Sequence, residues 1–173
     1  MDIAHNQDCP VCGEKTLTII EDENDIPYFG KVALFSMQCK SCGYRQSDVE
    51  ALEKKDPARY EIEVNCKKDL DIRVVRSSEG MIKIPTLRMS LEPGTGAQGF
   101  VSNIEGVLLR FKKIVEGQRD DAEDPSIKKS AKTLLKKMWK IECGDMPCKI
   151  VVEDKTGNSV IISPKVKVTK LKK

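Results

Sequence analysis

Apolar positions in this chain follow two periods, and the change of period divides it. Thr16 to Ile20 and Lys31 to Gln38 read as strands, joined by the polar run Glu21–Asp25 and by Ile26-Pro27-Tyr28-Phe29-Gly30. They predict an antiparallel pair with Tyr28 and Phe29 near its far tip, either partly exposed or packed on the rest of the protein. Residues 48–60 read as a short polar connection with a helical turn ending near Pro57. Alternation then returns over Tyr60–Cys66, Asp71–Ser77, Met81–Ile84 and Thr86–Leu91. Strands this closely spaced, broken by Gly80 and Pro93, predict a sandwich or barrel.

Between about 102 and 142 the period becomes helical. Ser102-Asn103-Ile104-Glu105 has the form of a capping box, and Ile104, Val107, Leu108, Phe111, Ile114 and Val115 make one apolar stripe, with Gly117 as a stop. A second helix opens at Asp124-Pro125 and carries Ile127, Ala131, Leu134, Leu135 and Met138. The two stripes predict an antiparallel helical hairpin. Lys129, Lys132, Lys136 and Lys140 fall on its opposite face, either solvated or docking an acidic partner. Strands resume at Lys149–Glu153, Ser159–Ser163 and Lys165–Leu171. The expected fold is therefore mainly β with α, an α+β chain whose β domain carries an inserted hairpin.

Against this background two short motifs stand out, Cys9-Pro10-Val11-Cys12-Gly13 and Cys39-Lys40-Ser41-Cys42-Gly43. Each places two thiols on one tight turn, and the trailing glycine allows the backbone to bend toward sulfur. Brought together, Cys9, Cys12, Cys39 and Cys42 complete a tetrahedral four-thiolate site for one structural zinc ion, with no position open for substrate. A module of about fifty residues needs such a ligand, because so short a chain buries too little core. A redox dithiol would need only one such pair, usually at the start of a helix. Cys66, Cys143 and Cys148 remain, as buried small hydrophobes, or as a Cys143–Cys148 disulfide or second metal pair.

Composition narrows the function. Thirty Lys and Arg against 27 Asp and Glu leave a net charge of +3, too little to argue for nucleic acid by itself. No apolar run suggests a signal segment or membrane helix, so a cytoplasmic protein is expected. Catalysis lacks machinery: His5 is the single histidine and lies outside the β region. Gly94-Thr95-Gly96-Ala97-Gln98-Gly99 matches a dinucleotide fingerprint in letters but does not open a helix directly, and reads as a flexible turn at 92–94.

Further motifs follow in a fixed order: Ile26-Pro27-Tyr28-Phe29, Ser36-Met37-Gln38-Cys39, Cys42-Gly43-Tyr44-Arg45, Val74-Val75-Arg76-Ser77, Ile84-Pro85-x-Leu87, Pro93-Gly94-Thr95 and Ile104-Glu105-Gly106-Val107-Leu108. This order resembles the ZPR-type zinc-finger proteins, in the single-module archaeal form. The resemblance implies a zinc ribbon at 1–50 and a double-stranded β-helix domain at 51–173 bearing the hairpin. It also implies a non-enzymatic chaperone or assembly factor that binds translation elongation factor one-alpha, GDP-bound or nascent. Tyr28, Phe29, Tyr44, Arg45 and the four lysines of the second helix are the expected contact residues. The alternative is a nucleic-acid-binding ribbon protein of the transcription or translation machinery.

Overall fold

The computed structural model describes residues 1–26, 30–52 and 55–171. The hairpin tip with Tyr28 and Phe29 lies outside the described residues.

An antiparallel sheet of four strands comes first, in the order β1 (Asp2–Gln7), β2 (Leu17–Ile26), β3 (Gly30–Cys39), β4 (Arg45–Ala51). β2 and β3 pair without a break from Leu17↔Cys39 to Ile26↔Gly30, so the hairpin extends about 30 Å from the cysteine end. Residues 45–51 are a correction to the sequence reading, which placed a polar connection and helical turn over 48–60. They pair along β3, from Gln38↔Arg45 to Val32↔Ala51. The strand hides from pattern analysis because Val49 is its one fully buried described residue, and the backbone ladder rather than an apolar face holds it. β1 is exposed throughout and gives no pattern signal.

The rest of the chain forms two further antiparallel sheets. β5 (Ala58–Val64), β7 (Met81–Ile84), β8 (Met89–Leu91), β10 (Cys148–Asp154) and β12 (Lys167–Lys170) stand in the order β12-β5-β10-β7-β8. β6 (Arg73–Arg76), β9 (Phe100–Asn103) and β11 (Val160–Ile162) form the order β11-β6-β9. β10 is central, and Ile150, Val151 and Val152 are all buried there, which explains its unbroken apolar run. The expected strand over 86–91 is shorter, because Pro85–Leu87 form a 3-10 turn that ends at Arg88 with φ of 56°. β9 was not expected; it leads straight into the first helix.

That helix, α1 (Ile104–Asp121), is capped by Asn103, whose side chain accepts from the Gly106 amide at 2.8 Å. The cap is thus one residue beyond the expected Ser102. Gly117 does not stop the helix; it sits within it on an open face, where it costs about 1 kcal/mol relative to alanine without blocking the turn. α2 (Pro125–Cys143) starts as expected, with Asp124 accepting from the Ser126 amide at 2.7 Å. It ends at Gly144, whose φ of 80° lets the last carbonyls bond back to residues 144 and 145. Ile114 and Ile127 were expected in the apolar stripes but are 48% and 50% exposed. The buried stripes are narrower: Ile104, Val107, Leu108, Phe111 and Val115 on one helix, Ala131, Met138 and Ile141 on the other. Lys112 and Glu142 tie the helices together at 3.0 Å.

The first sheet is packed against the second region. Val32 and Val49 bury themselves with Val75 and Val160, at about 1.5–3 kcal/mol for each valine. Beside them Asp48 accepts from the Gly99 amide at 2.8 Å. Behind this junction lies a buried polar knot. Asp154 accepts from Ser77 and Ser159, each at 2.5 Å, and from the amide and hydroxyl of Thr156.

Candidate metal centre

Both cysteine turns sit at one end of the four-stranded sheet, the first between β1 and β2, the second between β3 and β4. They are copies of one conformation. Gly13 and Gly43 each have φ of 73°, in the left-handed region that glycine enters without a Cβ penalty. The amide of Cys9 bonds to the Glu14 carbonyl at 3.0 Å, and that of Cys39 to the Tyr44 carbonyl at 2.9 Å. Leu17 is buried with Cys9 and Cys39, while Ile19, Met37 and Tyr44 pack around them.

The four sulfurs lie within 4.8 Å of one another, with Cys9–Cys42 and Cys12–Cys39 both at 3.7 Å. Zinc–sulfur bonds of about 2.3 Å in a tetrahedron require sulfur–sulfur edges of about 3.8 Å. The donor set and its spacing therefore fit one zinc ion, held by protein on all four sides. No disulfide forms within the set.

The thiols do not titrate alike. The amide of Cys42, then the Thr16 hydroxyl, pull Cys39 down to about 6. At Cys12 the Glu14 backbone pulls downward, but burial and the neighbouring sulfurs outweigh it and push the thiol up to about 12. Cys42 is raised as well. Four thiolates this close repel, so without a cation they share protons; a divalent ion offsets the repulsion.

His5 is exposed, faces Thr18 at 3.3 Å, and is not part of the sulfur cluster. Tyr44 is half-buried against the cysteine core and Arg45 is exposed, so the knuckle flank offers less aromatic surface than expected. Lys129, Lys132, Lys136 and Lys140 are all exposed on α2, and none forms an ion pair with a described residue. Beside them stands Trp139, 55% exposed, which the sequence reading missed. Its signal was present: it is off the apolar stripe, seven residues from Lys132 on the same face. The remaining cysteines, expected as buried small hydrophobes or as a Cys143–Cys148 disulfide or second metal pair, differ among themselves. Cys148 is buried, Cys143 half-buried and Cys66 exposed, just ahead of the 3-10 turn Lys67–Asp71; no disulfide forms among them.

Family models agree with this geometry. The ZPR1 zinc-finger domain matches residues 3–55, and the ZPR1 jelly-roll domain matches residues 68–173. The chain belongs to the ZPR1 family. It is 45% identical over 170 residues to an uncharacterized ZPR1-like protein of Pyrococcus horikoshii, covering 96% of this chain and 76% of that one. A similar protein of Methanocaldococcus jannaschii is 41% identical, covering 94% and 82%. The zinc finger chaperone zpr1 of Schizosaccharomyces pombe is 30% identical over 88% of this chain, but only 33% of that longer protein. The expected double-stranded β-helix domain is thus the family's jelly-roll domain, and the ribbon is its zinc finger. No helix among the described residues is long and apolar enough to cross a membrane.

Proposed function

We propose that this ZPR1-family chain is a zinc-stabilised protein-binding factor. Its client is translation elongation factor one-alpha, GDP-bound or nascent, and it serves that client as a cytoplasmic chaperone or assembly factor. The observation that carries the reading is the closed four-sulfur site at the end of a docked sheet. It leaves no coordination position for a substrate, so zinc here supports shape rather than reaction. The Schizosaccharomyces pombe relative named as a zinc finger chaperone supports the same role.

The chain divides in this reading into a ribbon at 1–50 and a jelly-roll domain at 51–173. Client contacts come from the ribbon tip (Tyr28, Phe29), the flank at Tyr44 and Arg45, and the face of Lys129, Lys132, Lys136 and Lys140. Unpaired lysines attract an acidic surface from a distance and raise the association rate more than the affinity. Affinity capture from a lysate of the source organism, using zinc-loaded protein, tests the proposal. Recovery of the elongation factor is expected; recovery of no translation GTPase in either nucleotide state contradicts it.

The same lysines favour a second reading, a nucleic-acid contact. Binding to RNA or DNA would then fall steeply as salt rises. Absence of retention at low salt removes that reading.

A further inference from the structure

The small net charge of +3 hides a segregation. α2 holds Lys128, Lys129, Lys132, Lys136, Lys137 and Lys140 against one acid, Glu142, so this helix alone carries +5. Glu142 is already tied to Lys112. At about 3.6 residues per turn, Lys129, Lys136 and Lys140 form the outer crest, opposite the buried Met138 and Ile141. Thr133 and Lys137 stand on one flank of that crest, Lys132 and the 55% exposed Trp139 on the other.

On the first flank Arg88 reaches the helix from the 3-10 turn Pro85–Leu87. With Lys129, Ser130, Thr133, Leu134 and Lys137 it lines a shallow notch of ≈ 490 Å³, and no carboxylate is in the lining. Arg88, Lys129 and Lys137 form no ion pair with a described residue, and the Ser130 hydroxyl has no partner among them. Thr133 spends its own proton on the Lys129 carbonyl at 2.9 Å. Arg88 is held at φ of 56°, in the left-handed region where glycine would sit with less strain. A strained residue that keeps its side chain at such a place points to use of that side chain. Three cations and a free hydroxyl around one notch suit the oxygens of a phosphate group.

The makeup of the face says what carries that phosphate. Protein interfaces are depleted in lysine and fill their centres with apolar and aromatic side chains, whereas this crest is lysine with one tryptophan beside it. A membrane surface would need an apolar helix face, and that of α2 is already buried in the core. A duplex read through its major groove calls for arginine, asparagine or glutamine on the helix, and α2 contains none of them. A flexible single strand can instead cross the crest, stacking a base on Trp139 and laying its phosphates over the lysines toward Arg88. We infer that the outer face of α2, from Trp139 to the Arg88 notch, binds single-stranded nucleic acid. The inference rests on the nucleic-acid reading above and adds to it the strand form and the residues Arg88, Ser130, Lys137 and Trp139.

The test measures fluorescence anisotropy of labelled oligouridine RNA, oligothymidine DNA and a duplex of the same length with zinc-loaded full-length protein. The strands are expected to bind more tightly than the duplex. Trp139→Ala, a change at an exposed position, is expected to weaken strand binding by about fivefold or more, the scale of one lost base stack, and to leave duplex binding unchanged. Arg88→Gly combined with Lys137→Gln keeps a backbone suited to φ of 56° and removes two cations. It is expected to make the log–log salt slope for the strands shallower by about 1.4, the share of two phosphate contacts. Lys31→Gln on the exposed ribbon surface is the reference and is expected to change neither quantity. Equal affinity for strand and duplex, with no effect of Trp139→Ala, overturns the inference and leaves the broader nucleic-acid contact standing. Polyglutamate that displaces the labelled strand as well as unlabelled strand does, at equal charge concentration, overturns it in favour of an acidic protein surface. Absence of binding to every nucleic acid at low salt removes the inference and the broader contact together.

Discussion

At Gly99 the backbone has no room for a side chain. A Cβ there would lie 2.5 Å from the Val49 carbonyl oxygen and 3.0 Å from that of Arg76. Gly99→Ala should therefore destabilise the protein by about 1–3 kcal/mol, the cost of overpacking, measured by denaturant unfolding. The sequence showed this glycine only as part of a flexible stretch; its role depends on residues 50 and 23 positions away, which no local pattern reveals. The cysteines are the opposite case. Their spacing and trailing glycines are local, and the metal site could be read in full from them. Asp154 lies between these extremes, recognisable as a turn residue but not as the centre of a buried knot. Burial pushes its carboxyl up, yet hydrogen bonds from Ser159, Ser77 and Thr156 outweigh this and hold it below the usual value. Its folded-state pKa is lowered, so the unfolded chain binds the proton more readily. The stabilisation is full above the ordinary carboxylate range and is lost as pH falls below about 4 toward the folded value. Asp154→Asn should cost about 1.5–3 kcal/mol or more at neutral pH and should flatten the acid limb of a stability–pH curve.

Among the elements, the helices were the most legible and the edge strands the least. Asp124-Pro125 and the apolar repeat state the start and inner face of α2 within the helix itself. β4 depends on β3 for its ladder, and β1 on β2, so neither strand exists as a local preference. Ile114 and Ile127 fit the helical period but fall at the margins of the packed faces, because the hairpin buries only a narrow stripe of each helix. Met138 is at the centre of that stripe with no exposure, in the same cluster as Phe111 and Ile141. Met138→Ala should cost about 2–5 kcal/mol, the usual range for a large-to-small core change, read by thermal or denaturant unfolding. An effect below about 0.5 kcal/mol, as at a surface position, would contradict the placement.

The whole molecule joins a metal-held ribbon to a jelly roll with its own core. The ribbon's cysteine end has little apolar support beyond Leu17 and the residues packed on it, whereas the jelly-roll core joins both helices to both sheets. Cys39→Ser should accordingly lose zinc by elemental analysis and lose the cysteine end of the four-stranded sheet, while β10 and the hairpin stay protected from hydrogen exchange. Unchanged metal content in that variant would contradict the four-sulfur site. The order of ribbon, strands, helical hairpin and strands was visible in the sequence; the docking through Val32, Val49, Val75 and Val160 was not, since it joins residues far apart in the chain. The most direct measurement of the central claim is calorimetric titration of the zinc-loaded chain with purified elongation factor one-alpha in its GDP-bound form. The account predicts saturable binding that the Cys39→Ser variant loses; an absence of binding heat with the zinc-loaded chain at several temperatures, in both nucleotide states, would contradict it.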